Sequence, residues 1–223
     1  MRSAPIKASS ARVATAASTS RADRTPMRCF GDGDPLYAAY HDDEWGLPVT
    51  DERGLYERLC LEAFQSGLSW LVILRKRPRF RAVFAGFDPE IVAGYGEADV
   101  QRLLQDAGIV RNRAKIEATI ANARATLTLR DCPCDLVRTV WDHRPERALG
   151  HPAPASLRDV PAHVPESAAL ARALKRAGFR FLGPTTLYAT MQACGLVNDH
   201  VAGCRSRTDV DAAQATALAA MRR

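Results

Sequence analysis

Gln105-Asp-Ala-Gly-Ile-Val-Arg-Asn-Arg-Ala-Lys115 is the stretch that decides the fold. Upstream of it Val100, Leu103 and Leu104 recur at helical spacing as far as Ala107, and Gly108 suits the position just past a helix end. Ile109 to Asn112 then forms a short link, and Ile116 and Ile120 carry a second apolar stripe. The pattern predicts two helices joined by a tight turn. Free backbone amides at the start of the second helix, beside Arg111, Arg113 and Lys115, suit a phosphate; a solvated hairpin without a ligand fits the same residues.

Outward from this hairpin the remaining signals are also helical. Thr50 or Asp51 can cap a helix with Leu55, Leu59 and Glu62 at i, i+4 and i+7, ending at Gly67. Ser69 can cap another through Trp70, Val72, Ile73 and Leu74, which Pro78 is expected to stop. Pro165 opens a helix through Leu170, Ala173 and Leu174 to Gly178, and Pro184 opens one through Leu187, Tyr188 and Met191 to Gly195. The Pro-rich segment from Cys132 to Pro165 reads as loop with short helical pieces. Period-two runs of β-branched residues are lacking, so an all-α domain is expected.

The chain has 223 residues, enough for one domain with a substantial core. Its charge of +6 sits mostly at the ends: through Arg28 there are six basic residues and one acid, and the residues from Arg205 onward are also basic. Residues 1–27, rich in Ala, Ser, Thr and Arg, are expected to form a disordered basic tail, with an organelle transit peptide as the alternative. The domain is then 28–204, followed by a C-terminal tail over 205–223. The domain itself is close to neutral, so any phosphate contacts must come from local clusters. Six irregularly spaced cysteines favour a reducing, cytoplasmic setting over a disulfide scaffold. No apolar run approaches the roughly 20 residues that span a bilayer.

Two groups of residues carry chemistry. Cys29 and His41 near the start of the domain are answered by His200 and Cys204 near its end. The His200-x3-Cys204 spacing puts both side chains on one side of a helical turn, and two thiols with two imidazoles suit tetrahedral zinc. Four protein ligands leave no open position, so such a metal would be structural and tie the two ends of the domain together. Spacing alone leaves unrelated Cys and His open as well; Cys132 and Cys134 lack a second pair and read as unligated. Glu62 shares a helix face with Leu55 and Leu59, where an unpaired carboxylate would be costly, unless it reaches solvent at the edge of the stripe. Tyr37, Tyr40, Trp45 and Trp70 flank the same segments in a chain with only 7% aromatic residues. Around a buried acid they suit a pocket for a flat, electron-poor ring, although aromatics at such positions also serve as plain core.

Asp34-Pro-Leu-Tyr-Ala-Ala-Tyr-His-Asp-Asp-Glu-Trp-Gly46, Leu61-Glu-Ala-Phe-Gln-Ser-Gly-Leu-Ser-Trp70, the hairpin Gln105–Lys115 and Met191-Gln-Ala-Cys-Gly-Leu-Val-Asn-Asp-His-Val-Ala-Gly-Cys204 together resemble the 3-methyladenine DNA glycosylase I family. The resemblance runs from about Arg28 to Cys204. It implies an all-α helix-hairpin-helix DNA glycosylase fold, with structural zinc on Cys29, His41, His200 and Cys204 joining the N- and C-terminal segments. It also implies that Glu62 and Tyr40 hydrogen-bond the extruded base, that Trp70 stacks on it, and that Trp45 and Tyr37 line the pocket. The turn with Arg111, Arg113 and Lys115 would grip the backbone of double-stranded alkylated DNA. For an enzyme that must wrap a bent duplex, a monomer is the default expectation. The sequence departs from the family pattern at Phe30, at Phe64 and in Arg205-Ser-Arg-Thr208 after the last cysteine, none of which removes a ligand. The competing expectations are a zinc-stapled module that binds alkylated DNA without cutting it and, more distantly, a hydrolase using the Cys/His site.

Overall fold

The computed structural model describes residues 27–146 and 152–222, so the expected N-terminal tail lies almost wholly outside the described residues. The chain forms α1 (Pro35–Asp43), α2 (Glu52–Gln65), α3 (Trp70–Val83), α4 (Pro89–Ala93), α5 (Glu97–Leu104), α6 (Arg113–Arg130), α7 (Leu136–Trp141), α8 (Pro165–Arg176), α9 (Pro184–Ala193) and α10 (Arg207–Met221). Among the described residues there is no β-strand, only an isolated bridge between Met27 and Cys204. No helix among them is long and apolar enough to cross a membrane.

Side-chain caps set many of the helix starts. Asp34 accepts from Tyr37 N at 3.1 Å, Asp51 from Gly54 N at 2.7 Å and Asn112 from Lys115 N at 3.1 Å. Proline occupies the first turn of α1, α4, α8 and α9, where its missing N–H costs nothing.

The helix capped by Ser69, expected to stop at Pro78, continues as α3 to Val83. Pro78 itself is exposed, and the residues beyond it are anchored: Phe80 is fully buried 4.5 Å from the Phe64 ring, and Val83 is buried. Burying those two side chains contributes roughly 3–6 kcal/mol against a proline cost of about 3 kcal/mol.

The central element is α2, which packs against α3, α6, α7 and α9. It therefore buries more than one stripe: Tyr56, Cys60, Leu61 and Phe64 are as enclosed as Leu55 and Leu59. Glu62 consequently sits inside the bundle instead of at the edge of a face.

The residues after Cys204, expected as a tail, are largely helical in α10. Val210 and Leu218 are buried, and Asn198 donates to Asp211 Oδ1 at 2.7 Å and to Arg207 O at 3.0 Å. Small alanines with single bulky apolar residues give that segment little periodic contrast, which hid the helix in the sequence.

Candidate active site and metal centre

The start of α1 and the ends of α2 and α9 enclose a cavity of about 140 Å³. Its walls include Tyr37, Tyr40, Trp45, Glu62, Trp70 and Gln192. An engineered cavity of about 150 Å³ holds one benzene, so the scale is that of a single flat aromatic ligand in an open-mouthed pocket. The Tyr40 and Trp70 rings lie 5.2 Å apart, and Phe30 closes the other side 4.7 Å from Tyr37 and 5.0 Å from Trp45.

Two polar atoms of this lining are buried without a hydrogen-bond partner among the described residues: Glu62 Oε2 and Trp70 Nε1. Orphaned polar atoms are costly and uncommon in a folded protein. Burial pushes the Glu62 carboxyl up to about 8, against the opposing pull of Arg58. Burial thus outweighs Arg58 and favours the neutral form, and a further positive charge beside the group would tip it toward the carboxylate.

The metal centre lies behind Trp45. Ligand atoms of Cys29, His41, His200 and Cys204 all fall within 4.8 Å of one another. His200 Nδ1 is 3.4 Å from Cys29 Sγ and 3.3 Å from Cys204 Sγ, and His41 Nε2 is 3.4 Å from Cys204 Sγ. The edges of a tetrahedron with zinc-like bond lengths run roughly 3.3–3.8 Å.

Acceptor-only partners fix both imidazoles. Asp42 Oδ1 is 2.9 Å from His41 Nδ1, and the Trp45 carbonyl is 3.1 Å from His200 Nε2. Each of those nitrogens therefore carries the proton, leaving His41 Nε2 and His200 Nδ1 as lone pairs facing the cluster. Asp42 is held as a carboxylate, down to about 2, first by the hydrogen bond from Arg28 and then by His41 and Arg205. Burial lowers His200 to about 4, keeping it neutral, and raises Cys29 to about 12, since two enclosed sulfurs cannot both ionise without a cation. The donor set fits a soft divalent metal. Gly46, at φ +88°, passes so close that a Cβ would stand 3.1 Å from His200 Nε2.

At the hairpin, the three basic residues singled out from sequence part company. Arg111 is exposed, and no hydrogen bond from its side chain is found among the described residues. Arg113 pairs with Glu97 at 2.9 Å and Glu117 at 3.1 Å. Lys115 is buried, its Nζ donating to Phe64 O at 2.8 Å and Ser66 O at 2.6 Å, so it fastens the end of α2 to α6. Backbone N–H groups of Arg111, Arg113 and Ala114 have no partner among the described residues. Gly108 lies inside the turn, beyond the end of α5, where a Cβ would meet Arg79 Cγ at 2.5 Å.

The residues that the sequence does not single out are Gln65 and Gln192 in the cavity wall, Asp42 behind His41 with the Arg28 and Arg205 that hold it, and Arg58. Only Arg58 left a signal, four residues before Glu62 on one helix.

The methyladenine glycosylase family profile matches residues 30–208 of this chain. The chain belongs to the methyladenine glycosylase family. It is 51% identical over 174 residues to DNA-3-methyladenine glycosylase 1 of Escherichia coli (strain K12), covering 77% of this chain and 91% of that protein. Another member of the family, DNA-3-methyladenine glycosylase of Haemophilus influenzae, is 41% identical over 173 residues, covering 78% and 93%. Among solved structures, 3-methyladenine DNA glycosylase I from Staphylococcus aureus superposes with a TM-score of 0.76 at 33% identity, covering 80% of this chain and 95% of that one. A variant of a 3-methyladenine DNA glycosylase I in complex with 3-methyladenine gives 0.76 at 32% identity, covering 80% and 96%.

Proposed function

We propose that this methyladenine glycosylase removes 3-methyladenine from alkylated double-stranded DNA: the base is extruded into the aromatic cavity, its N-glycosidic bond is hydrolysed and an abasic site remains. The observation that carries the reading is Glu62, a buried carboxyl whose Oε2 has no partner among the described residues and whose walls are aromatic rings.

A base methylated at N3 carries positive charge, so its glycosidic bond is already weak and the base leaves as a neutral molecule without strong acid catalysis. Selection can then rest on charge and shape. A cationic ring beside Glu62 supplies the positive charge that burial withholds, so ionised Glu62 and cationic base stabilise one another. Trp70 and Tyr40 supply π-faces for stacking, the Tyr40 hydroxyl a second hydrogen bond, and Tyr37 and Trp45 complete the walls. Water attacks the sugar carbon as the bond to the base breaks, through an oxocarbenium-like state.

The hairpin turn holds the phosphate backbone through Arg111 and the free amides at the start of α6, with Arg113 beside them and Lys115 bracing the turn from within. Leu68 is a large apolar side chain, 43% exposed in the loop between the Glu62 helix and Trp70, and we assign it the filling of the gap left by an extruded base. Zinc is the metal best suited to Cys29, His41, His200 and Cys204; with four protein ligands it would staple the ends of the domain and take no part in the chemistry. One chain supplies every element of the site, consistent with a monomer, and the reading places its action in the cytoplasm.

The test is to count abasic sites formed in alkylated duplex by wild type and by Glu62→Gln. Accumulation with wild type and a tenfold or larger loss in the variant is expected. Tight binding of alkylated duplex with no abasic sites would instead describe a non-catalytic binding module.

A further inference from the structure

Arg58 lies one helical turn before Glu62 on α2, so the two side chains leave the same face. Both are buried, Arg58 at 9% exposure and Glu62 at 5%. Desolvating a guanidinium is expensive, and its surroundings show how the charge is accommodated. Arg58 Nη2 donates to Glu44 Oε2 at 2.6 Å, and the guanidinium carbon stands 5.6 Å from the centre of the Tyr40 ring. Glu44, however, is already gripped by Arg77 through hydrogen bonds of 2.6 and 2.7 Å. Two arginines share one carboxylate, so the cluster retains a net positive charge against the wall of the base pocket. Arg58 Nη1 is buried without a hydrogen-bond partner, as is Glu62 Oε2.

We propose that Arg58 is a positioning residue for the glycosylase reaction, a fixed buried cation that favours the charged form of Glu62 and braces the Tyr40 ring. The inference rests on Glu62 being the carboxylate that recognises the base. The groups that act on Glu62 or are acted on by it are Arg58 from its own helix, Tyr37 and Tyr40 from α1, and Cys194 at the end of α9. Burial raises both tyrosines and pushes Cys194 up to about 12, so these stay neutral near pH 8. Burial also works against the Glu44 carboxylate, but Arg77 and Arg58 hold it down to about 2. Among these groups Glu62 alone changes charge in the working range. A positive neighbour favours the carboxylate, so removing Arg58 moves the Glu62 titration to higher pH. Opposite charges at close range shift a carboxyl by about 1–3 units; with Glu44 offsetting part of the field, about one unit is expected.

The experiment is the pH dependence of 3-methyladenine release from alkylated duplex, corrected for spontaneous loss, by metal-loaded wild type, Arg58→Met, Arg58→Lys and Glu62→Gln. Arg58→Met should move the acid limb up by about one unit, a roughly tenfold loss of rate below the limb and a much smaller change above it. Arg58→Lys keeps the charge and should leave the limb at the wild-type pH. Should Arg58→Met fail to fold, Arg58→Gln retains a donor for Glu44 without the charge and gives the same comparison. A charge-free variant with an unmoved limb, or equal displacement in Arg58→Lys, overturns the proposal. Glu62→Gln that keeps the wild-type limb would instead remove the premise about Glu62, which separates the two failures.

Discussion

Replacing Glu62 with Gln should cost recognition of the methylated base and yet stabilise the protein, increasingly so as the pH rises. Burial pushes the folded carboxyl up to about 8, whereas an ordinary glutamate titrates at 4.5. The unfolded chain therefore gives up this proton near pH 4.5 and the folded chain only near pH 8. Between those values the folded state binds more protons, so stability falls with rising pH by about 1.4 kcal/mol per unit. The full effect reaches at most about 5 kcal/mol above pH 8 and vanishes below about pH 4.5. Gln carries no charge and removes this slope; its own unsatisfied amide adds a constant offset that does not depend on pH. Both proteins carry the same metal site, whose pH dependence cancels in the difference. The assay is thermal or urea unfolding of metal-loaded wild type and Glu62→Gln at pH 5, 7 and 9. At this chain length about 1 kcal/mol corresponds to roughly 2–4 °C, so the variant should gain on the order of 10 °C relative to wild type between pH 5 and pH 9. Parallel pH profiles for the two proteins would refute the idea that Glu62 is strained by its burial.

Removing the metal with a chelator should release one zinc per chain, measured by a colorimetric zinc indicator, and lower Tm, with amide exchange rising first around Cys29 and the segment 198–206; unchanged exchange there would show that the cluster is not a staple. Arg111→Ala should weaken DNA binding and reduce the salt dependence of log K by about one contact, whereas Lys115→Met should leave that slope alone and destabilise the fold by about 1–3 kcal/mol through two unsatisfied carbonyls. The two effects exchanged between the variants would reverse the assignment of these side chains. Leu68→Ala should slow base release from duplex while sparing binding of free 3-methyladenine, read by tryptophan fluorescence; equal loss in both would place Leu68 in the pocket itself.

Much of the fold is legible in the sequence because it is written locally. Asp51, Pro165 and Pro184 mark helix starts by capping or by a preset φ, and α2, α8 and α9 begin at those residues or one past them, while α6 begins directly after the link that ends at Asn112. The continuation of α3 past Pro78 depends on Phe64, a ring from another helix, and no local pattern contains it. The four sulfur and nitrogen ligands were readable as residue types, but their meeting depends on Met27–Cys29 lying alongside Cys204, at opposite ends of the domain. The sequence groups Lys115 with Arg111 and Arg113 as a phosphate-side cation because its internal acceptors, the carbonyls of Phe64 and Ser66, are about 50 residues away. The position of Glu62 on an apolar face is visible in the sequence, which leaves open a solvent-facing edge; the depth of its burial follows from α2 being surrounded on several sides.

The most direct measurement is chromatography of the bases released from methylated duplex DNA by folded, metal-loaded protein. Free 3-methyladenine appearing well above the spontaneous rate, with little 7-methylguanine, is the expected result. No enzyme-dependent release of 3-methyladenine would contradict the assignment of the cavity around Glu62 as a catalytic site.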